Sequence, residues 1–136
     1  MKTIVLIEDD LDVQRIYSQK LELSGFKVIL ASDASQGYFL VKDLAPELVM
    51  LDIMLPGKMN GFELLEKIKS DEKLKNIPIL VFTNLDTEKA NALKAGASDY
   101  IIKSNTNLNE IVEKVEKQIN FFSNHNTLSR LSCCPQ

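Results

Sequence analysis

At 136 residues with a net charge of −3, the chain is sized for one domain that buries roughly two thirds of the surface its unfolded form would expose. Apolar residues at 45% and charged ones at 26% fit an ordinary globular protein; the longest apolar runs are too short to span a membrane, and the lack of a basic cluster argues against direct contact with nucleic acid. Cys133 and Cys134, adjacent near the C-terminus, do not readily pair with each other or form a metal site alone, and they point to a reducing compartment.

Met1-Lys2-Thr3 leads straight into a strand pattern and not into a secretory signal, so a cytoplasmic location is expected. Thr3 to Ile7 is a continuous apolar run, the pattern of a strand buried on both faces. It ends on Glu8-Asp9-Asp10. Leu11, Val13, Ile16, Tyr17 and Leu21 follow at helical spacing, with Ser24-Gly25 as the stop. A second strand, Phe26 to Ala31, precedes a helix carrying Tyr38, Val41 and Leu44, which Pro46 closes. Leu48 to Leu51 then runs into Asp52, and Pro56-Gly57 prevents continuation. After the loop through Gly61, Phe62, Leu65 and Ile68 mark a third helix. Ile77 to Phe82 is the fourth strand, with Pro78 at its start. It ends on Thr83-Asn84. Asp86 is expected to cap a helix reaching Lys94, with Gly96 as its left-handed terminator. Tyr100 to Ile102 is a short fifth strand ending on Lys103. Leu108, Ile111, Val112, Val115, Ile119 and Phe122 form the last helical stripe, opened by a capping box at Asn107 and Glu110. Residues 1–122 are therefore read as the domain and 123–136 as a tail or linker stub, in which the lone His125 has no assigned function.

Strands alternating with helical patterns specify an α/β fold with a parallel sheet covered on both faces. A flavodoxin-like, doubly wound sheet of five strands in the order 2-1-3-4-5 with five helices is the expected architecture. That order sets the first and third strands side by side, and ligands bind at the carboxyl ends of such a switch point. Glu8, Asp9 and Asp52 would all face it. An aspartate after a strand is by itself most often a turn or cap residue, but four strands here end on polar groups at one sheet edge. Three carboxylates about 5 Å apart repel by roughly 3 kcal/mol per pair at an effective dielectric near 20, so a cation is needed to keep them. Mg²⁺ suits hard oxygen ligands, whereas zinc or copper would want histidine or cysteine. Lys103 and Thr83 add a positive charge and a hydroxyl, which together with a free Asp52 is equipment for phosphoryl transfer. Asp10 is read as a helix-start acid.

Glu8-Asp9, the run Leu51 to Pro56 around Asp52, Phe82-Thr83, and Ala95 to Lys103 resemble the receiver domain of two-component response regulators, over about residues 2 to 122. The resemblance implies that Asp52 accepts a phosphoryl group from a sensor histidine kinase or phosphotransfer protein. It implies Mg²⁺ held by Asp9 directly, by Glu8 through water, by Asp52, and by the carbonyl of Met54. Lys103 would pair with a phosphoryl oxygen or with Asp52. Thr83 would swing toward the phosphoryl group and Tyr100 turn inward behind it, altering the surface of the fourth helix, fifth strand and fifth helix for a downstream effector or a phosphorylation-dependent homodimer. Such a domain catalyses only its own modification and is not a turnover enzyme.

Three departures from the family pattern bear on the site. Ser104 follows Lys103 where the family usually has a cis-linked proline, so this peptide is expected to be trans or strained. The loop between Pro56 and Gly61 is one residue longer than usual. At two positions where the resemblance implies control of phosphoryl lifetime, two residues beyond Asp52 and two beyond Thr83, stand Met54 and Leu85, both apolar and unable to orient a water, so slow self-dephosphorylation is expected. The rival readings are a receiver-like binding module independent of phosphorylation, an aspartyl phosphatase, which would want a second acid where Met54 stands, and a flavin carrier, whose phosphate Glu8-Asp9-Asp10 would repel.

Overall fold

The computed structural model describes the backbone of residues 1–133 and the side chains of residues 1–120. Five parallel strands, β1 (Thr3–Ile7), β2 (Lys27–Ala31), β3 (Leu48–Leu51), β4 (Ile79–Thr83) and β5 (Asp99–Ile102), lie in the order β2-β1-β3-β4-β5. The helices between and after them are α1 (Leu11–Leu23), α2 (Ala34–Leu44), α3 (Gly61–Lys69), α4 (Lys89–Lys94) and α5 (Leu108–Cys133). The flavodoxin-like order expected from the alternation of patterns is the one observed.

The unbroken apolar runs are explained by two-sided burial. Val5, Ile7, Val49, Leu51, Ile79 and Val81 join a core with α2, α3 and α4, whereas Ile4, Leu6, Leu48, Met50, Leu80 and Phe82 join one with α1 and α5. All twelve of these strand residues are fully buried. At roughly 1.5–3 kcal/mol per large apolar side chain removed from water, the central three strands dominate the stability of the domain.

Several boundaries differ from the sequence reading. Strand β4 begins at Ile79 because the Ile77 amide is spent on the Leu74 carbonyl in the preceding turn and Pro78 has no amide to give the ladder, although its carbonyl accepts from the Val49 amide. Helix α4 starts only at Lys89, with Glu88 at its N-cap position and no side-chain cap. Asp86 is thus not the cap; it lies in a turn after Leu85, whose carbonyl is taken by the Tyr100 hydroxyl. Gly96 does supply the left-handed residue after α4, at φ +113°. On α1, Tyr17 and Leu21 are buried as expected, but Leu11 and Ile16 are exposed and Gln14 and Ser18 take the inner face. The reciprocal capping box belongs to α3, where Asn60 accepts from the Glu63 amide and Glu63 from the Asn60 amide. At α5, Asn107 accepts from the Glu110 amide at 2.9 Å, but the Glu110 carboxylate returns to the Asn107 side chain. Helix α5 continues to Cys133, past the point where the apolar stripe stops; the side chains of Phe122, His125 and Cys133, and all of Cys134, lie outside the described residues.

Candidate functional site

Sheet register builds the site. Ile7 pairs with Leu51, so the next residues, Glu8 and Asp52, leave neighbouring strands at one level. Thr83 closes β4 and pairs with Ile102, the last residue of β5, after which comes Lys103. Four strand ends therefore converge on one edge, and the polar groups there are almost wholly enclosed: Glu8 is 1% exposed, Asp52 5% and Thr83 1%.

The Lys103 ammonium sits between the acids, donating to Glu8 Oε2 at 2.5 Å and to Asp52 Oδ2 at 2.9 Å. Residues 51 and 95 positions apart in the chain are thus locked together. Burial by itself would lower the Lys103 pKa, but its hydrogen bonds to Glu8 and Asp52 and their charges outweigh this and hold it above its ordinary value. Burial raises the Glu8 carboxyl, against the pull of its bond to Lys103. The second oxygen of Asp52 accepts from the Met54 amide at 2.9 Å, which fixes the carboxylate plane. Close approach of backbone makes that turn possible: a Cβ on Gly61 would stand 2.3 Å from Ile53 Cα and 2.5 Å from the Asp52 carbonyl oxygen.

Carboxylate oxygens of Glu8, Asp9 and Asp52 all lie within 4.8 Å of one another, and Asp9 is the exposed member. Three oxygen donors at this spacing, open to solvent on one side, fit a hard divalent ion that keeps some of its waters. Met54 contributes its amide to Asp52 while its side chain is 58% exposed. Asp10 is the N-cap of α1, accepting from the Asp12 and Val13 amides at 2.9 and 3.2 Å, as its position suggested. The Thr83 hydroxyl accepts from the Leu85 amide at 3.4 Å. Tyr100 is already turned inward, 6% exposed, with its hydroxyl on the Leu85 carbonyl.

Sequence reasoning missed three supporting residues. Gln14, 5% exposed, donates to the Glu8 carbonyl at 2.5 Å and to Ser32 Oγ at 3.1 Å, tying β1 to the end of β2. A polar residue on the stripe shared with Tyr17 and Leu21 was its signal. Phe82 lies beneath Lys103, with Nζ 4.8 Å from the ring centroid. Asn84 accepts from the Ser104 amide at 3.1 Å. Nothing local marks either of the last two. The Lys103–Ser104 peptide is trans, in a short 3-10 turn over Lys103–Asn105.

Among the described residues no helix is long and apolar enough to cross a membrane. The chain is 37% identical over 105 residues to the DNA-binding dual master transcriptional regulator RpaA of Synechocystis, covering 76% of this chain and 43% of that protein. It is 36% identical to the phosphate regulon transcriptional regulatory protein PhoB of Pseudomonas aeruginosa, covering 75% and 45%. The chain thus spans less than half the length of these relatives. The exclusion of nucleic-acid contact, drawn from its lack of a basic cluster, does not extend to such relatives as wholes, since RpaA is by name DNA-binding. Among solved structures, the CheY-like response regulator receiver domain protein of Methanospirillum hungatei superimposes with a TM-score of 0.84 at 28% identity, covering 92% of this chain and 98% of that one. NtrX of Brucella abortus gives a TM-score of 0.87 at 26% identity, covering 96% and 29%. The response regulator receiver domain family matches residues 4–116. With fold, strand-end acids and lysine in agreement, the chain belongs to the response regulator receiver family.

Proposed function

We propose that this receiver takes a phosphoryl group on Asp52 from the phosphohistidine of a sensor histidine kinase or phosphotransfer protein. The observation that carries the reading is Lys103 bridging Glu8 and Asp52 at 2.5 and 2.9 Å across the switch point of the sheet. An Asp52 oxygen attacks phosphorus, the phosphorus–nitrogen bond breaks, and the histidine nitrogen leaves with the electron pair. Lys103 changes partner from the carboxylate to a phosphoryl oxygen, so its positive charge stays where negative charge gathers. The Met54 amide keeps the second carboxylate oxygen in plane. Glu8, Asp9, Asp52 and the Met54 carbonyl would hold Mg²⁺, which when bound offsets charge on the phosphoryl oxygens.

Thr83 then turns from the Leu85 amide to the phosphoryl group, which loosens the Leu85 segment that Tyr100 holds from the other side. The surface of α4, β5 and α5 changes and engages a downstream effector or a second copy. The unit acting this way is residues 1–122, in the cytoplasm, with 123–136 as a tail or linker stub. It modifies itself and does not turn over substrate. Met54 and Leu85 offer no group to orient an attacking water, so the phosphorylated form outlives that of relatives with polar residues there.

Intact-protein mass after incubation with acetyl phosphate and Mg²⁺ tests the reading. One phosphoryl adduct is expected, lost on chelation before labelling and absent in Asp52→Asn. An adduct that survives Asp52→Asn, or none in the wild type, would falsify it; decay of the adduct within seconds would count against the long lifetime.

A further inference from the structure

Relatives commonly place the lysine with a cis-linked proline after it, but here Lys103 is followed by a trans-linked Ser104. Its position must come from elsewhere. The two residues flanking Thr83 at the tip of β4 both reach toward Lys103 or its turn. On one side the fully buried Phe82 presents its ring 4.8 Å below Nζ, and that ring is fixed by Tyr17 at 5.3 Å between centroids. On the other, Asn84 Oδ1 accepts from the Ser104 amide at 3.1 Å, a donor that a proline at this position would lack. We propose that Phe82 and Asn84 form a two-part seat for Lys103, the ring holding its ammonium and the amide holding its backbone, and that they are positioning residues for phosphoryl transfer.

The chemistry of the seat suits the task. A ring face attracts an ammonium without neutralising it, so Lys103 is aimed at Asp52 yet remains free to pass to a phosphoryl oxygen. A bond to the following amide fixes the start of the side chain in the same way. Because both contacts leave from residues adjoining Thr83, the lysine and the hydroxyl are placed by one strand end.

The inference rests on the phosphoacceptor reading, and the test separates the two. Labelling rates with acetyl phosphate and Mg²⁺ are measured for the full chain and for folded Asn84→Ala and Phe82→Leu, with circular dichroism confirming the fold. Asn84→Ala is expected to label about threefold more slowly, the loss of one partly exposed hydrogen bond, and Phe82→Leu about three- to tenfold more slowly. Asn84→Asp, which keeps the acceptor, returns the rate to within about twofold of the wild type. In a Lys103→Ala background neither substitution changes the remaining rate by more than about twofold, because a seat has no effect without its occupant. Should Phe82→Leu fail to fold, the exposed Asn84 decides the matter through its rate and its non-additivity with Lys103→Ala. A wild-type rate in either folded variant, or full additivity with Lys103→Ala, overturns the seat while leaving Asp52 as acceptor. A wild type without a Mg²⁺-dependent adduct overturns the phosphoacceptor reading and the seat with it.

Discussion

Helices α3 and α4 occupy the same side of the sheet and flank the site, yet they are built to different standards. Helix α3 has nine residues, a reciprocal cap at Asn60 and Glu63, and Gly61, Leu64, Leu65 and Ile68 buried. Helix α4 has six residues, no side-chain cap, and buries Ala92 while Leu93 stays 40% exposed. A helix so short is unstable alone and here takes little from packing. The difference is one of anchoring. The firmly packed α3 backs the turn that carries Asp52, and the lightly anchored α4 adjoins Leu85 and Tyr100, where contacts can change at small energetic cost.

The contrast can be broken most severely at Gly61. Its absent Cβ leaves room for the backbone of Asp52 and Ile53 at 2.3–2.5 Å, so neither neighbour can move aside. Gly61→Ala is expected to destabilise by about 3 kcal/mol or more in urea unfolding. A loss under about 1 kcal/mol would mean that α3 does not brace the turn that carries Asp52. Native-state amide exchange sharpens the comparison next: amides of α4 should exchange on the order of a hundredfold faster than those in the middle of α3. Equal protection would remove the basis for calling α4 the less firmly anchored helix.

Caps give a smaller and unequal pair of effects. Asn60→Ala should lower stability by about 1 kcal/mol, whereas Glu88→Ala, at a position making no cap, should stay within about 0.5 kcal/mol. Equivalent losses from the two would erase the distinction. The smallest effect concerns Lys69, at the end of α3, whose Nζ donates to the Lys75 and Ile77 carbonyls at 3.0 and 2.8 Å. Burial holds its pKa below the ordinary 10.5. Between the lowered value and 10.5 the unfolded chain binds the proton more tightly, so the penalty for burying the charge is fully present at lower pH and is relieved as pH rises through that window. Relative to Lys69→Met, the wild type should therefore gain stability on raising the pH toward 10.5, as read by urea midpoints at several pH values. A flat difference would place the ammonium in solvent.

Much of this was open to reading in the chain itself. Runs such as Ile4 to Ile7 and Leu48 to Leu51 carry the pattern of strands buried on two faces, and the helical patterns between them point to parallel crossovers. Those two facts leave few topologies, of which the order 2-1-3-4-5 is the common one at this size, and that order gathers Glu8, Asp52, Thr83 and Lys103 without any knowledge of side-chain geometry. Local periodicity was less reliable where tertiary contacts compete with it. Gln14 takes a place on the inner face of α1 because the Glu8 carbonyl and Ser32 offer it partners, while Leu11 and Ile16 stay exposed. The start of α4 moved from Asp86 to Lys89 because the preceding loop is held by Thr83 and Tyr100.

By itself the sequence determined the fold class and the identity of the acids, hydroxyl and lysine, since burial patterns and residue chemistry are written locally; the order of the sheet it narrowed to a common topology that the structure then settled. The tertiary structure decided what holds the lysine in place, Phe82 below it and Asn84 beside it, and how unequally α3 and α4 are secured. Those are relations between segments distant in the chain, and packing between distant segments leaves no period in a sequence to be read.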